Sequence, residues 1–126
     1  MVDAGSRSLV TPGVLQLPGS RSDDSWWGDR LAEIVDFHRR RHGDQGRIEV
    51  GFAPHAAYTV PLPVLADVAT ACRELDALFH IHLAETEEEC DRFAAAHGRS
   101  TPAALADAGI FEGRVLACLL YTSRCV

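Results

Sequence analysis

Residues 79–89 read FHIHLAETEEE and place two histidines one residue apart within an apolar run, just ahead of four carboxylates. Successive side chains of a β-strand point to opposite faces of the sheet. The apolar residues from Phe79 to Leu83 would therefore share one face, and His80 and His82 the other. Helices that cover a sheet pack on its apolar face, so we expect both imidazoles on the face away from the helices.

Strands and helices are predicted to alternate along the whole chain. The strands are predicted at residues 8–17, with an interruption near Pro12-Gly13, and at 47–54, 78–84 and 114–117. Amphipathic helices are predicted at 26–42, 65–75 and 86–97, followed by a short helical turn at 101–109. This order indicates an α/β fold with parallel strands and covering helices, whether the sheet is open or closed into a barrel.

Composition excludes several classes of partner. The chain has 126 residues with a formal net charge of −6, which argues against a nucleic-acid surface because phosphate binding needs basic patches. No apolar run approaches the roughly 20 residues that span a bilayer, so no membrane partner is predicted. The first residues lack a signal pattern and the four cysteines form no CxxC pair, from which we expect a cytoplasmic protein.

The polar residues of the 79–89 stretch are predicted to have different roles. His80 is interpreted as a hydrogen-bonded residue of the interior, whereas His82 lies nearer the end of the strand, where barrel enzymes carry their chemistry. A divalent metal is the commonest reason to place imidazoles in a dry interior. Glu87 to Glu89 are interpreted as a solvated first helical turn, capped by Thr86. Glu85 lies between strand and cap, at the lip of the predicted pocket.

Three segments together resemble one family of enzymes. GRIEVGFAPHAAYTV (46–60), FHIHLAETEEE (79–89) and GRVLA (113–117) are similar to the metal-dependent amidohydrolases. Within that family they resemble the branch that holds adenosine, S-adenosylhomocysteine and guanine-type deaminases and related chlorohydrolases. The resemblance runs from about Arg7 to Ala117. It implies a partial (β/α)8 TIM barrel, covering about strands three to six of the eight.

The resemblance also implies roles for individual residues. His82 matches a metal-ligand histidine at the end of the fifth barrel strand, and Glu85 matches the carboxylate that moves protons between the attacking water and the leaving amine. His55 matches a histidine that contacts substrate. Arg30 falls at one of two arginine positions that hold the substrate carboxylate in S-adenosylhomocysteine deaminases, while Pro12 occupies the other. The implied cofactor is one divalent metal ion, zinc, with iron as the alternative.

The function implied by the resemblance is hydrolytic deamination of a purine-like or other N-heterocycle by metal-activated water. A chlorohydrolase or another amidohydrolase that acts on C–N or C–Cl bonds is the near alternative. The implied partner is a small heterocyclic substrate, and a homo-oligomeric parent enzyme is compatible with it. A small non-catalytic α/β binding module is an alternative from a different class. A flavodoxin-like open sheet would suit the same element order, but no GxGxxG loop follows the strands.

Several family features are absent from this sequence. No histidine precedes His38, so the His-x-His of the first barrel strand is missing, and so are the sixth-strand histidine and the eighth-strand aspartate. We therefore expect residues 1–117 to be part of a catalytic barrel whose full-length parent is the enzyme, and the 126-residue chain itself to be inactive. The tail CLLYTSRCV (118–126) resembles the translation of a sequencing-library transposon end, and we expect it not to be native.

Overall fold

A computed structural model describes residues 5–15 and 26–120 of the chain. The strands are β1 (Ser8–Val10), β2 (Gly13–Val14), β3 (Ile48–Val50), β4 (Ala53–Pro54), β5 (Phe79–His82) and β6 (Val115–Cys118). The helices are α1 (Trp26–Arg41), α2 (Leu62–Glu74), α3 (Glu87–His97) and α4 (Thr101–Asp107). Short 3-10 turns lie at Asp44–Gly46 and Ile110–Glu112. Residues 16–17 of the first predicted strand and 121–126 of the predicted non-native tail lie outside the described residues.

All strand pairs among the described residues are parallel. β1 pairs with β3, β2 with β4, and β5 with β6. Parallel bridges from Phe52 to Phe79 and from Ala56 to His82 join the two halves. The strands therefore lie side by side in the order β1/β2, β3/β4, β5, β6, which confirms the predicted parallel α/β arrangement. Pro12 separates β1 from β2, because proline has no N–H to donate to the ladder.

The hydrophobic core lies between one face of the sheet and the helices. The sheet contributes Phe52, Phe79 and Ile81, each no more than 1% exposed, and the predicted alternation along β5 is confirmed by its buried and half-buried residues. Helix α2 packs Leu65, Val68 and Cys72 into the same core, as its helical spacing predicts. None of the described helices is long and apolar enough to cross a membrane.

The opposite face of the sheet is only partly covered. His80 and His82 are half-buried there. In the register of β5 and β6, His80 lies beside Leu116, which is 44% exposed. Leu9 on β1 is 45% exposed. The described helices thus cover one side of the sheet, whereas the side that carries the histidines lies open.

Gly51 allows two strands to approach each other closely. A Cβ atom added at this position would lie 2.6 Å from the carbonyl oxygen of Leu78, which is shorter than any real van der Waals contact. The Gly51 N–H donates to Val10 O at 2.9 Å, and the neighbouring Phe52 N–H donates to Leu78 O at 2.8 Å. Glycine at 51 therefore lets the β3/β4 segment hydrogen-bond on both sides, which brings the ends of β4 and β5 together.

Candidate active site

His55 and His82 lie together where two neighbouring strands end. The His82 N–H donates to His55 O at 2.9 Å, and Ala56 forms a parallel bridge with His82. The two imidazole rings meet edge to face, with their centroids 5.1 Å apart and their planes at 80°. Because parallel strands end at the same edge of a sheet, two histidines that are distant in the sequence become neighbours at this edge.

Thr59 orients the ring of His55. The Thr59 hydroxyl donates to Ala56 O at 3.2 Å, and its oxygen lies 2.8 Å from His55 Nδ1. With its one hydrogen directed at Ala56 O, the Thr59 oxygen can accept from a protonated Nδ1. His55 is then held as the tautomer whose Nε2 can accept a hydrogen bond, the arrangement expected of a histidine that contacts a donor group of a ligand.

The ring of His82 is oriented by Cys118. His82 Nδ1 lies 2.9 Å from Cys118 Sγ, and this sulfur lies 3.5 Å from Ile81 O, to which its thiol donates. The sulfur can therefore accept from His82 Nδ1–H, which leaves Nε2 as the nitrogen that could bind a metal. Burial and then the negative charge of Glu85 raise the pKa of the Cys118 thiol above its usual value.

Glu85 is held at both its backbone and its side chain. Its backbone N–H donates to Glu89 Oε2 at 2.9 Å, and its Oε2 accepts a 2.9 Å hydrogen bond from the Tyr58 hydroxyl. The preceding residue, Ala84, is fully buried and has a left-handed backbone with φ of 52°. Such a conformation is uncommon for a residue other than glycine and is typical of functional loops.

Two cavities lie on either side of this constellation. The histidine cavity, of about 170 Å³, is lined by His55, His80 and His82 with Leu15 and Ile81. The glutamate cavity, of about 560 Å³, is lined by Tyr58, Glu85, Glu88, Glu89, Arg92 and Phe93. The Tyr58 ring stands edge-on to the His55 ring at 5.6 Å between centroids, so a residue that lines the glutamate cavity contacts one that lines the histidine cavity.

One prediction about the acidic run is wrong. Glu89 is only 7% exposed, and its Oε1 is buried without a hydrogen-bond partner among the described residues. Thr86 caps α3 as predicted, because its side chain accepts from Glu89 N at 3.1 Å. The Glu89 carboxylate turns back to Glu85 instead of entering solvent, because the backbone N–H groups ahead of a helix need acceptors. Glu87 and Glu88 are exposed, as expected.

Sequence reasoning missed Tyr58, Thr59 and Glu89 as site residues. Tyr58 and Thr59 stand within the PHAAYT segment (54–59) on which the resemblance was based, so the motif itself carried the signal. Glu89 was recognised only as part of a helix cap. Its contact with Glu85 is a local side-chain-to-backbone hydrogen bond, and the spacing of four residues could have indicated it.

Arg30 is not brought to the same place as the other predicted residues. It lies on α1, where its Nε donates to Gly13 O at 3.1 Å and its guanidinium pairs with Glu33 at 3.0 Å. It lines a separate cavity of about 250 Å³ with Val10 and Pro12. A role for Arg30 in substrate binding stays a prediction.

His80 lies one position from the metal-ligand candidate on the same face. Its Nδ1 is 3.4 Å from the Thr11 hydroxyl oxygen, and its Nε2 is 3.5 Å from Cys118 Sγ. Both ring nitrogens therefore have hydrogen-bonding neighbours, as predicted, whereas the ring itself is half-buried on the open face of the sheet and does not lie in the core.

The described residues fit a metal only in part. His82 offers the right donor, an imidazole at the end of a parallel strand. Residues 5–15 and 26–120 contain no group of three or more histidine, cysteine, aspartate or glutamate side chains that could hold a metal ion. A catalytic zinc needs about three protein ligands. The described part of the chain therefore contributes one candidate ligand and does not complete a site.

Parallel strands with helices on one face, and histidines and a carboxylate where the strands end, are typical of α/β enzymes that keep their chemistry at that edge. Residues 27–119 match the amidohydrolase family. Because that match covers most of the chain, the chain belongs to the amidohydrolase family. The matched range contains His55, His82 and Glu85.

Curated relatives are similar over most of this chain. A 5-methylthioadenosine/S-adenosylhomocysteine deaminase of Desulforudis audaxviator is 44% identical over 88 residues, which are 69% of this chain and 20% of that protein. A protein of the same name from Desulfitobacterium hafniense strain Y51 is 34% identical over 119 residues, which are 93% of this chain and 26% of that protein. The chain thus spans about a quarter of the length of the curated relatives it matches.

Solved structures show the same arrangement of strands and helices. The crystal structure of an adenosine deaminase from Xanthomonas campestris with bound zinc superposes with a TM-score of 0.74 at 31% identity, over 92% of this chain and 26% of that one. A triazine hydrolase from Arthrobacter aurescens superposes with a TM-score of 0.77 at 15% identity, over 92% of this chain and 27% of that one. At such low identity the triazine hydrolase shows the fold alone.

Proposed function

We propose that this chain supplies about strands three to six of a (β/α)8 barrel, and with them part of the active site of a metal-dependent deaminase. The observation that carries this proposal is the meeting of His55 and His82 at the ends of β4 and β5, with Glu85 in the loop that follows β5. The half-open sheet face supports it, because the interior of a barrel is covered only when all eight strands are present.

His82 would be one ligand of a divalent metal, because its imidazole lies at the end of β5 beside that of His55. Zinc is the metal that we propose, since an adenosine deaminase of similar structure was crystallised with bound zinc. When bound, such an ion lowers the pKa of water from 15.7 to about 7, so that a nucleophile is available near neutral pH.

The remaining chemistry would fall to residues of this chain. Glu85 would accept the proton of the attacking water and pass it to the leaving amine, a general acid–base role commonly worth about 10²–10⁴ in rate. His55, with Nε2 free to accept, would bind a donor group of the substrate. The nearby open cavities would admit the substrate from the side on which these side chains lie.

The proposed substrate is a purine-like N-heterocycle with an exocyclic amine. The names of the curated relatives and of the adenosine deaminase support an adenosine derivative. Pro12 stands where the resemblance places one of the two carboxylate-binding arginines, and Arg30 is turned to Gly13 and Glu33. We therefore favour an adenosine derivative without an amino-acid tail over S-adenosylhomocysteine.

Activity is proposed for a longer protein that contains this segment, because the described residues do not complete a ligand set. The 126-residue chain alone is expected to have no deaminase activity. The prediction that residues 118–126 are not native also stays a proposal. Leu119 has a left-handed backbone with φ of 65°, which is uncommon for a residue other than glycine.

A substrate panel tests the proposed function. The complete enzyme, obtained by extending the gene on both sides of this segment, would be loaded with zinc and offered adenosine, 5′-methylthioadenosine, S-adenosylhomocysteine, guanine and a chlorotriazine. We expect ammonia release from an adenosine derivative, with S-adenosylhomocysteine a poorer substrate. Chloride release without ammonia would favour a chlorohydrolase instead. If no substrate is turned over and the protein binds no metal, a non-catalytic binding module would be favoured.

A further inference from the structure

We propose that Tyr58 is a positioning residue for the reaction, because its hydroxyl holds the carboxylate of Glu85 in the orientation needed for proton transfer. This inference rests on the proposed function, in which Glu85 moves the proton. Tyr58 itself is not proposed to touch the reacting atoms. Its role is to fix which oxygen of Glu85 is available and where that oxygen points.

The hydrogen bond joins two strand-end loops. Tyr58 lies three residues after His55 in the loop that follows β4, and Glu85 lies three residues after His82 in the loop that follows β5. The Tyr58 hydroxyl donates to Glu85 Oε2 at 2.9 Å. With Oε2 engaged, Oε1 is the oxygen left to exchange a proton. The same loop that carries the substrate-contact histidine therefore sets the geometry of the proposed acid–base residue.

The backbone of Glu85 is fixed independently of Tyr58. Its N–H donates to the buried Glu89 carboxylate, and Ala84 turns the chain sharply just before it. Removing the Tyr58 hydroxyl should therefore release the Glu85 side chain without moving its backbone. The contribution of Tyr58 is confined to the side-chain torsions of Glu85, which are otherwise free to rotate at the wall of an open cavity.

The surroundings of Tyr58 keep its hydroxyl protonated, so that it can donate a hydrogen bond. Burial, the hydrogen bond to Glu85 and the negative charges of Glu85 and Glu89 raise the pKa of the Tyr58 hydroxyl above its usual value of 10. The phenol is therefore protonated throughout the range in which a deaminase works, and it donates to a carboxylate that is acceptor-only when ionised. Tyr58 is 52% exposed, and its ring contacts His55 edge-on. Phenylalanine would preserve that ring contact and remove only the hydroxyl.

The first test is Tyr58→Phe in the complete, zinc-loaded enzyme. Loss of orientation alone should lower kcat by about ten-fold or more while KM changes less than about two-fold, because the lost interaction acts on the chemical step and not on binding. Zinc content should equal that of the wild type. An unchanged or increased kcat would overturn the proposal, and an increase would mean that Tyr58 holds Glu85 away from the reaction.

A double-mutant cycle separates this inference from the proposed function. In a Glu85→Ala background, Tyr58→Phe should cause no further loss of kcat, because its target is gone. A ten-fold loss that persists in that background would overturn the proposal, since Tyr58 would then act elsewhere. If Glu85→Ala itself has no effect, the proposed function fails and the inference fails with it. If Glu85→Ala lowers kcat strongly but Tyr58→Phe leaves kcat unchanged, only the inference fails.

A titration provides a readout that does not depend on turnover. Tyrosine ring carbons labelled with ¹³C report the ionisation of Tyr58 by NMR, with the resonance assigned by its absence in Tyr58→Phe. Glu85→Ala should lower the pKa of Tyr58 toward its usual value, because the hydrogen bond and the charge that raise it are removed. An unchanged Tyr58 titration would show that the two side chains do not interact in solution.

Discussion

The imidazole of His55 stands edge-on to that of His82, at 5.1 Å between ring centroids, because a main-chain hydrogen bond ties the end of β4 to the end of β5. The proposed substrate contact and the proposed metal ligand are therefore placed by sheet pairing rather than by a flexible loop. Side chains on rigid strand ends are held more precisely than side chains on loops alone.

The orientation of His55 is expected to depend on Thr59. Thr59→Val keeps the shape of the side chain but removes the oxygen that lies 2.8 Å from His55 Nδ1. Without that acceptor both tautomers of His55 become available, so KM of the complete enzyme should rise about three- to ten-fold, the equivalent of one hydrogen bond. Thr70→Val is the matched control, because the Thr70 hydroxyl donates to Ala66 O and accepts from Arg73, and both partners belong to α2 itself. Equal KM values for the two variants would contradict the role of Thr59.

The stability of the protein is expected to fall at mildly acidic pH because of His38. His38 is 6% exposed and both its ring nitrogens lack partners among the described residues. Burial, then the nearby His42 and Arg39, lower its pKa below 6.5. The native state therefore binds fewer protons than the unfolded state between the lowered pKa and 6.5. This contribution to stability is complete above pH 6.5 and is lost as pH falls through that window.

His38→Leu tests this pH dependence directly. The substitution replaces an unpartnered polar ring with an apolar side chain, so stability at pH 7.5 should change by less than about 1 kcal/mol or increase. Thermal unfolding midpoints measured from pH 7.5 to 5 should fall more steeply for the wild type than for the variant. Parallel curves would show that His38 does not titrate in the folded protein as expected.

Substitution by alanine is expected to have opposite effects on the stability of the protein at Gly51 and at Gly28. Gly51→Ala would force a Cβ to within 2.6 Å of Leu78 O, so the sheet must shift, and a loss of about 1–3 kcal/mol is expected. Gly28 lies exposed on α1 with nothing within 4 Å of an added Cβ. Gly28→Ala should therefore stabilise the helix by about 0.5–1 kcal/mol. Similar unfolding midpoints for both variants would refute the close approach of the strands at Gly51.

Local patterns in the sequence predicted the fold well. The period of two along residues 79–83 placed Phe79 and Ile81 in the core and the histidines on the other face, because burial on one side imposes that alternation. Thr86 was predicted as the cap of α3, since capping depends only on residues three positions apart. These features depend on near neighbours, which a single sequence displays.

The candidate site was predicted less completely, because its contacts join distant residues. Nothing in the local sequence places the Tyr58 hydroxyl on Glu85 or Cys118 beside His82, since strand pairing creates both contacts. The burial of Glu89 was missed for a related reason. Three consecutive glutamates are typical of a solvated turn, and only the path of the loop at Ala84 turns the third one inward.

The zinc content of the complete enzyme tests the central claim most directly, namely that His82 binds the catalytic metal and His80 on the same strand face does not. Wild-type protein, His82→Gln and His80→Gln would be purified with zinc present, dialysed and assayed for metal by atomic emission. The wild type and His80→Gln should each retain about one zinc per chain, whereas His82→Gln should lose most of it, since removing a ligand leaves an incomplete site. Retention of a full equivalent of zinc by His82→Gln would contradict the assignment of this histidine as a metal ligand.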